Sequence, residues 1–357
     1  MTSKPMHHSA YTLVLFASWP AFSEDWNPRL AADYLDARQK EWFAWKPANA
    51  PGGPCVSCHT GVTYLLARPA LRRALGESEP TSYEMGLTTA LRARVDKKVA
   101  QELFPAFAKE PRASQAIGVE AILCALFLTL DEAERPSLSA AALQAFDRMW
   151  SLQILEGKAK GAWAWFDLDL DPWETPASPF YGATLAAMAV GSAPAEYRAR
   201  PEVRRRVAEL TAYLKREQQA QPLHNRLMLL WASTKLSEVL PRSGQKSIMR
   251  EIWQKQEADG GWTIDALGPW KTHPAATPSV GSNSYATALT ALAMRKAGVA
   301  RADPGMIRAL NWLKERQDRQ AGFWTAQSMN KQYGPGSMQS RFMQDAASAY
   351  SAMALLE

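Results

Sequence analysis

The chain has 357 residues, 47% of them hydrophobic, and a formal net charge of +6. That length can hold one large helical domain with a sizeable core, since length is only a soft guide to domain number. Lysines and arginines are interspersed with acids and no aromatic–basic motif accompanies them, so the composition argues against a nucleic-acid binder. The net positive charge leads us to expect a weak attraction of the protein to an anionic membrane surface.

The N-terminal segment, residues 1–23, has the features of a secretory signal peptide. Lys4 precedes an apolar run from Ala10 to Phe22, and small residues next to Glu24 offer a cleavage point. We therefore expect an exported, periplasmic protein that is soluble or peripheral to a membrane, with one mature domain over residues 24–357. The alternative is an apolar terminus that packs on the rest of the fold.

A loop rich in Pro and Gly, residues 46–54, follows a predicted helix over 30–42 and leads to Cys55, Cys58 and His59. Cys-x-x-Cys-His is the attachment signature of c-type haem, in which both thiols bond to the haem and the His ligates iron. We predict covalent haem c here, in an insertion at about 46–60, with His59 as the metal ligand. A disulfide or redox thiol pair, a zinc site and chance remain as alternatives.

The sixth iron position has several candidates. His224 and His273 are the other His residues of the presumed mature chain, and Met is abundant. The sixth ligand would be one of these two His residues or a Met, or the sixth position would be open. Each His alone is more often an ordinary polar contact.

Helical periodicity continues through the rest of the chain. In one of these segments Glu120 and Cys124 lie four residues apart and share a face. We expect Glu120 at the rim and Cys124 as an inert core thiol. The predicted helical segments are 60–75, 81–107 (one or two helices), 114–130, 137–155, 181–190, 201–219, 223–239, 245–256, 285–297, 304–317 and 345–356.

Four acids stand among aromatic residues just before the helix predicted at 181–190. In an extended segment, alternate side chains point to the same side, which would place Asp167, Asp169 and Asp171 together. Mutual repulsion would raise the pKa of these carboxyl groups and can leave one of them protonated and able to donate. The alternative is a turn rich in acids that leads into the next helix. The candidate catalytic residues are Asp167, Asp169, Asp171 and Glu174.

Three turns repeat a Gln followed by Gly-x-Trp, in which Gly permits positive φ and Trp covers the joint. Weaker copies at Gln39 and Gln218 keep only the helical half. Helical hairpins that recur every few dozen residues predict an all-α fold, an α/α toroid of the α6-α6 type. The three full turns are Gln153 to Trp163, Gln256 to Trp262 and Gln317 to Trp324.

These turns resemble the QW repeats of the squalene-hopene cyclase and terpene cyclase/mutase superfamily, over most of residues 140–357. The resemblance implies α/α barrels with an apolar central cavity and an Asp-x-Asp-Asp motif that protonates a polyene. Here Asp167 to Asp171 is similar, but Leu170 replaces the adjacent Asp. The chain also has one barrel, whereas squalene-hopene cyclases have two such domains.

Taken together, the motifs predict an exported c-type haem protein with a terpene cyclase-like barrel. Its cavity would hold an apolar small molecule such as an isoprenoid, for redox chemistry or for electron transfer with a redox partner protein. A terpene cyclase with an Asp general acid is the first alternative. A non-catalytic binding or scaffold protein is the second.

Overall fold

A computed structural model describes residues 26–50, 52–95, 107–271 and 273–357. The predicted signal peptide, residues 1–23, lies outside the described residues, as does part of the helical segment predicted over 81–107. Export and the extent of the mature domain therefore stay predictions.

The regular secondary structure of the described chain is almost entirely helical, as predicted, with one two-stranded antiparallel sheet formed by β1 (Asn49–Ala50) and β2 (Gly53–Pro54). Short 3-10 turns lie at Lys46–Ala48, Gln218–Ala220, Ser237–Val239, Asp265–Leu267 and Gln339–Arg341. The helices are α1 (Pro28–Ala44), α2 (Gly61–Ala74), α3 (Ser82–Arg94), α4 (Arg112–Asp131), α5 (Ala140–Ser151), α6 (Ser178–Ser192), α7 (Ala195–Ala199), α8 (Pro201–Glu217), α9 (Leu223–Ala232), α10 (Arg242–Trp253), α11 (Ser284–Lys296), α12 (Pro304–Glu315) and α13 (Phe342–Leu356).

The helices form an α/α toroid, which confirms the predicted fold class. Helices α2, α4, α6, α9, α11 and α13 form the inner ring, and each follows an outer helix. Neighbouring inner helices contact one another from α4 through α6, α9, α11 and α13 to α2, and α3 contacts both α2 and α4. The last inner helix thus packs on the first.

Burial distinguishes the two rings. Inner helix α6 is buried continuously from Phe180 to Val190, whereas outer helix α8 buries only Val203, Leu210, Tyr213 and Leu214. A helix that is apolar all round requires protein on every side, while a helix with one apolar stripe can face water. The apolar patterning therefore assigns each helix to its ring.

Helix α4 alone among the described helices is long and apolar enough to cross a membrane, but 72% of its most apolar window is buried inside the toroid. It also corrects one expectation. Glu120 is buried rather than at the rim, and it forms an ion pair with Arg94 at 3.3 Å. Cys124 is a fully buried thiol, as expected.

Each Gln-to-Trp turn fastens one hairpin to the next outer helix. The amide of Gln256 donates to the carbonyls of Gly260 and Gly305, both at 2.8 Å, and Gln153 and Gln317 repeat the pattern. Gln317 reaches the carbonyl of Asn27, the N-cap of α1, so the same device joins the end of the chain to its beginning.

The inner helices all run in the same direction. Residues from the C-terminal ends of α2, α4, α6, α11 and α13 line one common cleft of about 1040 Å³. Their N-terminal ends consequently meet at the opposite face. The motif Cys55 to His59 precedes α2 and the acidic segment precedes α6, so the toroid brings them to the same face.

Candidate functional site

The loop between α1 and α2 carries Cys55 to His59 down against the inner ring. Buried Arg94 donates to the carbonyls of Gly53 and Pro54 at 2.7 and 2.8 Å, and the Trp42 indole donates to the carbonyl of Cys55 at 2.7 Å. These bonds hold an irregular segment in place, because its backbone carbonyls find donors inside the protein.

We infer that His59, Cys55 and Glu174 line a central hollow. Protein encloses each of them closely enough that burial dominates its pKa, yet each keeps part of its surface accessible. Groups that are enclosed but still accessible line an internal space. Trp173, next to Glu174, lies 6.1 Å from the His59 ring between centroids, which places the two segments on the same hollow.

A chain of hydrogen bonds orients His59. The Asp345 carboxylate accepts hydrogen bonds from Arg38 and from the Thr60 hydroxyl at 2.7 Å each, and from Tyr34 at 2.8 Å. Because the Thr60 hydroxyl donates its hydrogen to Asp345, the Thr60 oxygen accepts a hydrogen bond from Nδ1 of His59 at 2.9 Å. The imidazole therefore carries its proton on Nδ1 and presents the Nε2 lone pair.

The Nε2 atom of His59 has no hydrogen-bond partner among the described residues and remains accessible to the hollow. Burial, followed by the charge of Arg38, lowers the pKa of His59 to about 3, so the ring is neutral. A neutral imidazole with a free Nε2 can accept a hydrogen bond from a ligand or a water molecule.

Glu174 is the acid of this hollow. Burial raises its pKa to about 7, and no charged neighbour contributes. Its backbone pairs with Leu170 as an isolated β-bridge, and its carboxyl oxygens have no hydrogen-bond partner in the described chain. An accessible carboxyl group that holds its proton near neutral pH is suited to general acid–base chemistry.

The other three acids occupy different surroundings. Asp167 and Asp169 are exposed, and Asp169 has φ of 60° and pairs with Lys271. That left-handed residue interrupts the alternation expected of an extended strand, so the acids do not share one side. Asp171 is half-buried, with its pKa raised mainly by burial, and it accepts from the Lys271 amide at 3.1 Å.

Below the hollow lies a layer of buried rings. The two ring nitrogens of His224 bond to Asn225 at 2.9 Å and to the Tyr285 hydroxyl at 2.8 Å. Both are committed, so His224 is not free to ligate a metal. His273 lies in a loop, where its Nδ1 accepts from the Ala275 amide. Neither residue supplies the predicted sixth ligand.

The prediction of haem c is contradicted. The His59 ring is stacked on Phe342 with centroids 3.4 Å apart, and Trp42 lies edge-on to it at 5.6 Å. Cys58 is 4% exposed, and burial raises the pKa of both thiols, that of Cys55 to about 12. The described residues also contain no group of three or more His, Cys, Asp or Glu placed to hold a metal ion.

The cleft of about 1040 Å³ at the other face has a different character. Most of its charged groups are already paired, for example Arg92 with Asp131 and Lys296 with Glu357. The central hollow contains an acid with a raised pKa and an imidazole nitrogen without a partner among the described residues, so it is the better candidate site.

Comparison with known proteins identifies the fold. No family model matches the chain, and no curated protein sequence matches it. An unsaturated glucuronyl hydrolase from Bacillus sp. GL1, responsible for the degradation of glycosaminoglycan, matches with a TM-score of 0.55 and 13% identity, over 92% of this chain and 96% of its own. A UGL variant with dGlcA-Glc-Rha-Glc matches with a TM-score of 0.54, 13% identity and coverage of 92% and 95%.

These matches correct the resemblance to squalene-hopene and terpene cyclases and the functions predicted from it. Two solved structures that match nearly the whole chain are an unsaturated glucuronyl hydrolase and a UGL variant, neither of them a cyclase or a cytochrome. The Gln-to-Trp turns misled because they are devices of hairpin packing: each Trp indole donates to a carbonyl near the end of the preceding helix, as Trp262 does to Ile252 at 2.8 Å. Such a motif reports the fold and carries no chemistry.

Sequence reasoning missed Thr60, Asp345 and Phe342, which orient or cover His59. The available signal was a charged residue inside an apolar helix: Asp345 begins a run of buried residues that extends to Leu355. Buried carboxylates require partners, so Asp345 was identifiable as part of a polar network. Its partners are 285 and 307 residues away along the chain and could not be named.

Proposed function

We propose that this protein is a hydrolase that cleaves a glycosidic bond in the central hollow, with Glu174 as the general acid. The pKa of about 7 for this accessible and unpartnered carboxyl group carries the proposal. At neutral pH a large fraction of Glu174 holds a proton that it can give to a leaving oxygen. The glucuronyl hydrolases that share the toroid act on saccharides, which supports this class of substrate.

The proposed reaction needs one acid and one positioned water molecule. Nε2 of His59 accepts a hydrogen bond from that water and orients a lone pair towards the anomeric carbon. The water oxygen bonds to this carbon, the bond to the leaving oxygen breaks, and Glu174 gives its proton to the leaving group. The proton released by water returns to Glu174 through solvent, so the enzyme is regenerated.

The walls of the hollow suit a sugar ring. Trp173, Trp42 and Phe342 are the aromatic residues around His59. Aromatic faces pack against the C–H faces of a pyranose, while a few polar groups fix its orientation. The apolar ligand predicted from the sequence stays a prediction that no observation tests, and so does contact with a membrane surface.

The test is hydrolysis by the purified full chain of a panel of saturated and unsaturated oligosaccharides, followed as release of new reducing ends. We expect Glu174→Gln to lower kcat by about 10²–10⁴-fold, the usual contribution of a positioned general acid. Wild-type kcat/KM should fall as pH rises through about 7, since Glu174 then loses its proton.

Glu156→Gln makes the same chemical change at an exposed turn and should retain wild-type kcat. The proposal fails if Glu174→Gln hydrolyses as fast as wild type. It also fails if the folded protein cleaves no member of the panel.

A further inference from the structure

The charge around the hollow carries information about its substrate. Burial is the sole cause of the raised pKa of Glu174. A cation close to the carboxylate would lower this pKa by favouring the charged form. Among the described residues no cation contributes to this pKa, so none of them lies directly beside the Glu174 carboxylate.

The two arginines whose charges act on His59 and Cys55 are already committed to other partners. Arg38 donates from Nε and Nη2 to Asp345 at 2.7 and 3.1 Å, and from Nη1 to Glu41. Arg94 donates to Glu120 and to the carbonyls at Gly53 and Pro54, and its remaining Nε is sealed from solvent. Neither guanidinium has an accessible donor for a ligand.

The histidines supply no positive charge either. Burial lowers the pKa of His59 to about 3 and that of His224 to about 4, so both rings are neutral at physiological pH. Both pKa values lie well below those of ordinary histidines.

Two lysines lie at the rim, in solvent. Lys271 is exposed and pairs with Asp169. Lys331 is exposed and lies 5.1 Å from the centre of the Tyr333 ring. Tyr333 is close enough to Glu174 for that carboxylate to contribute to its raised pKa, after burial. Neither lysine contributes to the pKa of Glu174, so both are outside its immediate surroundings.

We propose that the hollow selects an uncharged sugar at the position next to Glu174 and discriminates against a uronate there. This inference rests on the proposed glycosidase function and names its substrate class. A uronate carboxylate would lose its hydration on entering the hollow without gaining a cation, and it would repel Glu174 once that group ionises. A neutral pyranose meets neither penalty and packs on the aromatic walls.

The experiment measures binding to Glu174→Gln, which keeps the shape of the site and stops turnover. Calorimetry is done at about pH 7.5, where uronates are ionised. It compares pairs of oligosaccharides that differ only at C6 of the terminal sugar: glucosyl with glucuronyl, galactosyl with galacturonyl, mannosyl with mannuronyl. In the pair that binds best, we expect the neutral member to bind about 100-fold more tightly.

Equal or tighter binding of the uronate overturns the inference and leaves the proposed hydrolysis standing. If no pair binds and wild type cleaves nothing, the proposed function itself fails. The two failures are therefore distinguishable. If a uronate binds through the rim, Lys331→Ala should remove that binding, which would also overturn the inference.

A designed cation provides a second readout. Tyr333→Lys places an ammonium near Glu174 and should raise uronate affinity by about 10-fold, while Tyr333→Phe should keep the neutral preference. Failure of Tyr333→Lys to improve uronate binding would contradict the electrostatic basis of the selectivity. Circular dichroism of each variant confirms that the helical fold is retained.

Discussion

The residue that defines this site chemically is Glu174, whose environment differs from that of three acids within seven residues of it. Asp167 and Asp169 face solvent, and Asp171 is held by the Lys271 backbone. Glu174 forms a β-bridge with Leu170 and is enclosed by protein. Desolvation, rather than repulsion among acids, therefore produces the perturbed carboxyl group.

The raised pKa of Glu174 predicts a pH dependence of stability. The unfolded chain releases this proton near pH 4.5, whereas the native protein keeps it until about pH 7. Between those values the native state binds more protons, so the free energy of unfolding falls as pH rises and then levels off above about 7. Glu174→Gln, which cannot ionise, should lack this loss.

Urea denaturation of wild type and Glu174→Gln between pH 4.5 and 8 measures the difference in their free energies of unfolding at each pH. Subtracting the two profiles removes the opposite contributions of His59 and His224, whose depressed pKa values favour the native state as pH rises. A constant difference between the two proteins across this range would show that Glu174 is not desolvated.

At the scale of the element, the repeated unit is a helical hairpin fastened by one glutamine. In the turn that begins at Gln256, the amide bonds two carbonyls, and its oxygen accepts from Arg308 at 2.7 Å. The weak copy at Gln218 bonds only the Lys215 carbonyl of its own helix, at 3.4 Å. The turn at Gln256 is thus fastened across hairpins, whereas Gln218 bonds only within its own helix.

Gln256→Ala should therefore reduce the free energy of unfolding by about 1–3 kcal/mol, because two carbonyls and one guanidinium lose their partner. Gln218→Ala is the matched control and should change it by less than about 0.5 kcal/mol. Equilibrium chemical denaturation distinguishes the two. Equal losses would mean that the glutamine does not fasten the hairpins.

At the scale of the whole molecule, the toroid depends on contact between its first and last hairpins. Gly322 has φ of 80°, and a Cβ added there would lie 2.2 Å from the Leu30 carbonyl oxygen of α1. The turn can approach α1 this closely only because residue 322 has no side chain. Gly281 has a similar φ of 72°, but a Cβ there would meet no atom within 4 Å.

These two glycines separate backbone strain from ring closure. Gly281→Ala should lower the free energy of unfolding by about 1 kcal/mol through the left-handed φ alone. Gly322→Ala should lower it by about 3 kcal/mol or more, because α1 must also move. Amide hydrogen exchange should increase in α1 only for Gly322→Ala. Equal exchange in the two variants would refute the closure.

Much of this protein follows from its sequence alone. The 3.6-residue apolar period and the Gln-to-Trp turns are local, so they determine the helices, their hairpins and the toroid. The sequence also identified Cys55, Cys58, His59 and Glu174 as unusual. Their grouping at one face follows from parallel inner helices, since each segment precedes an inner helix.

Only the tertiary structure decided the chemistry. The surroundings of His59, including the stacked Phe342, are formed by residues hundreds of positions away in the chain. The burial that sets the pKa of Glu174 is also a property of the folded chain. The Asp345, Thr60 and His59 network joins α13 to the loop before α2. The pKa and the tautomer of a side chain depend on the groups that surround it in the folded protein. A short sequence motif does not contain those groups. The residues that predict haem attachment therefore form a different site in the folded toroid.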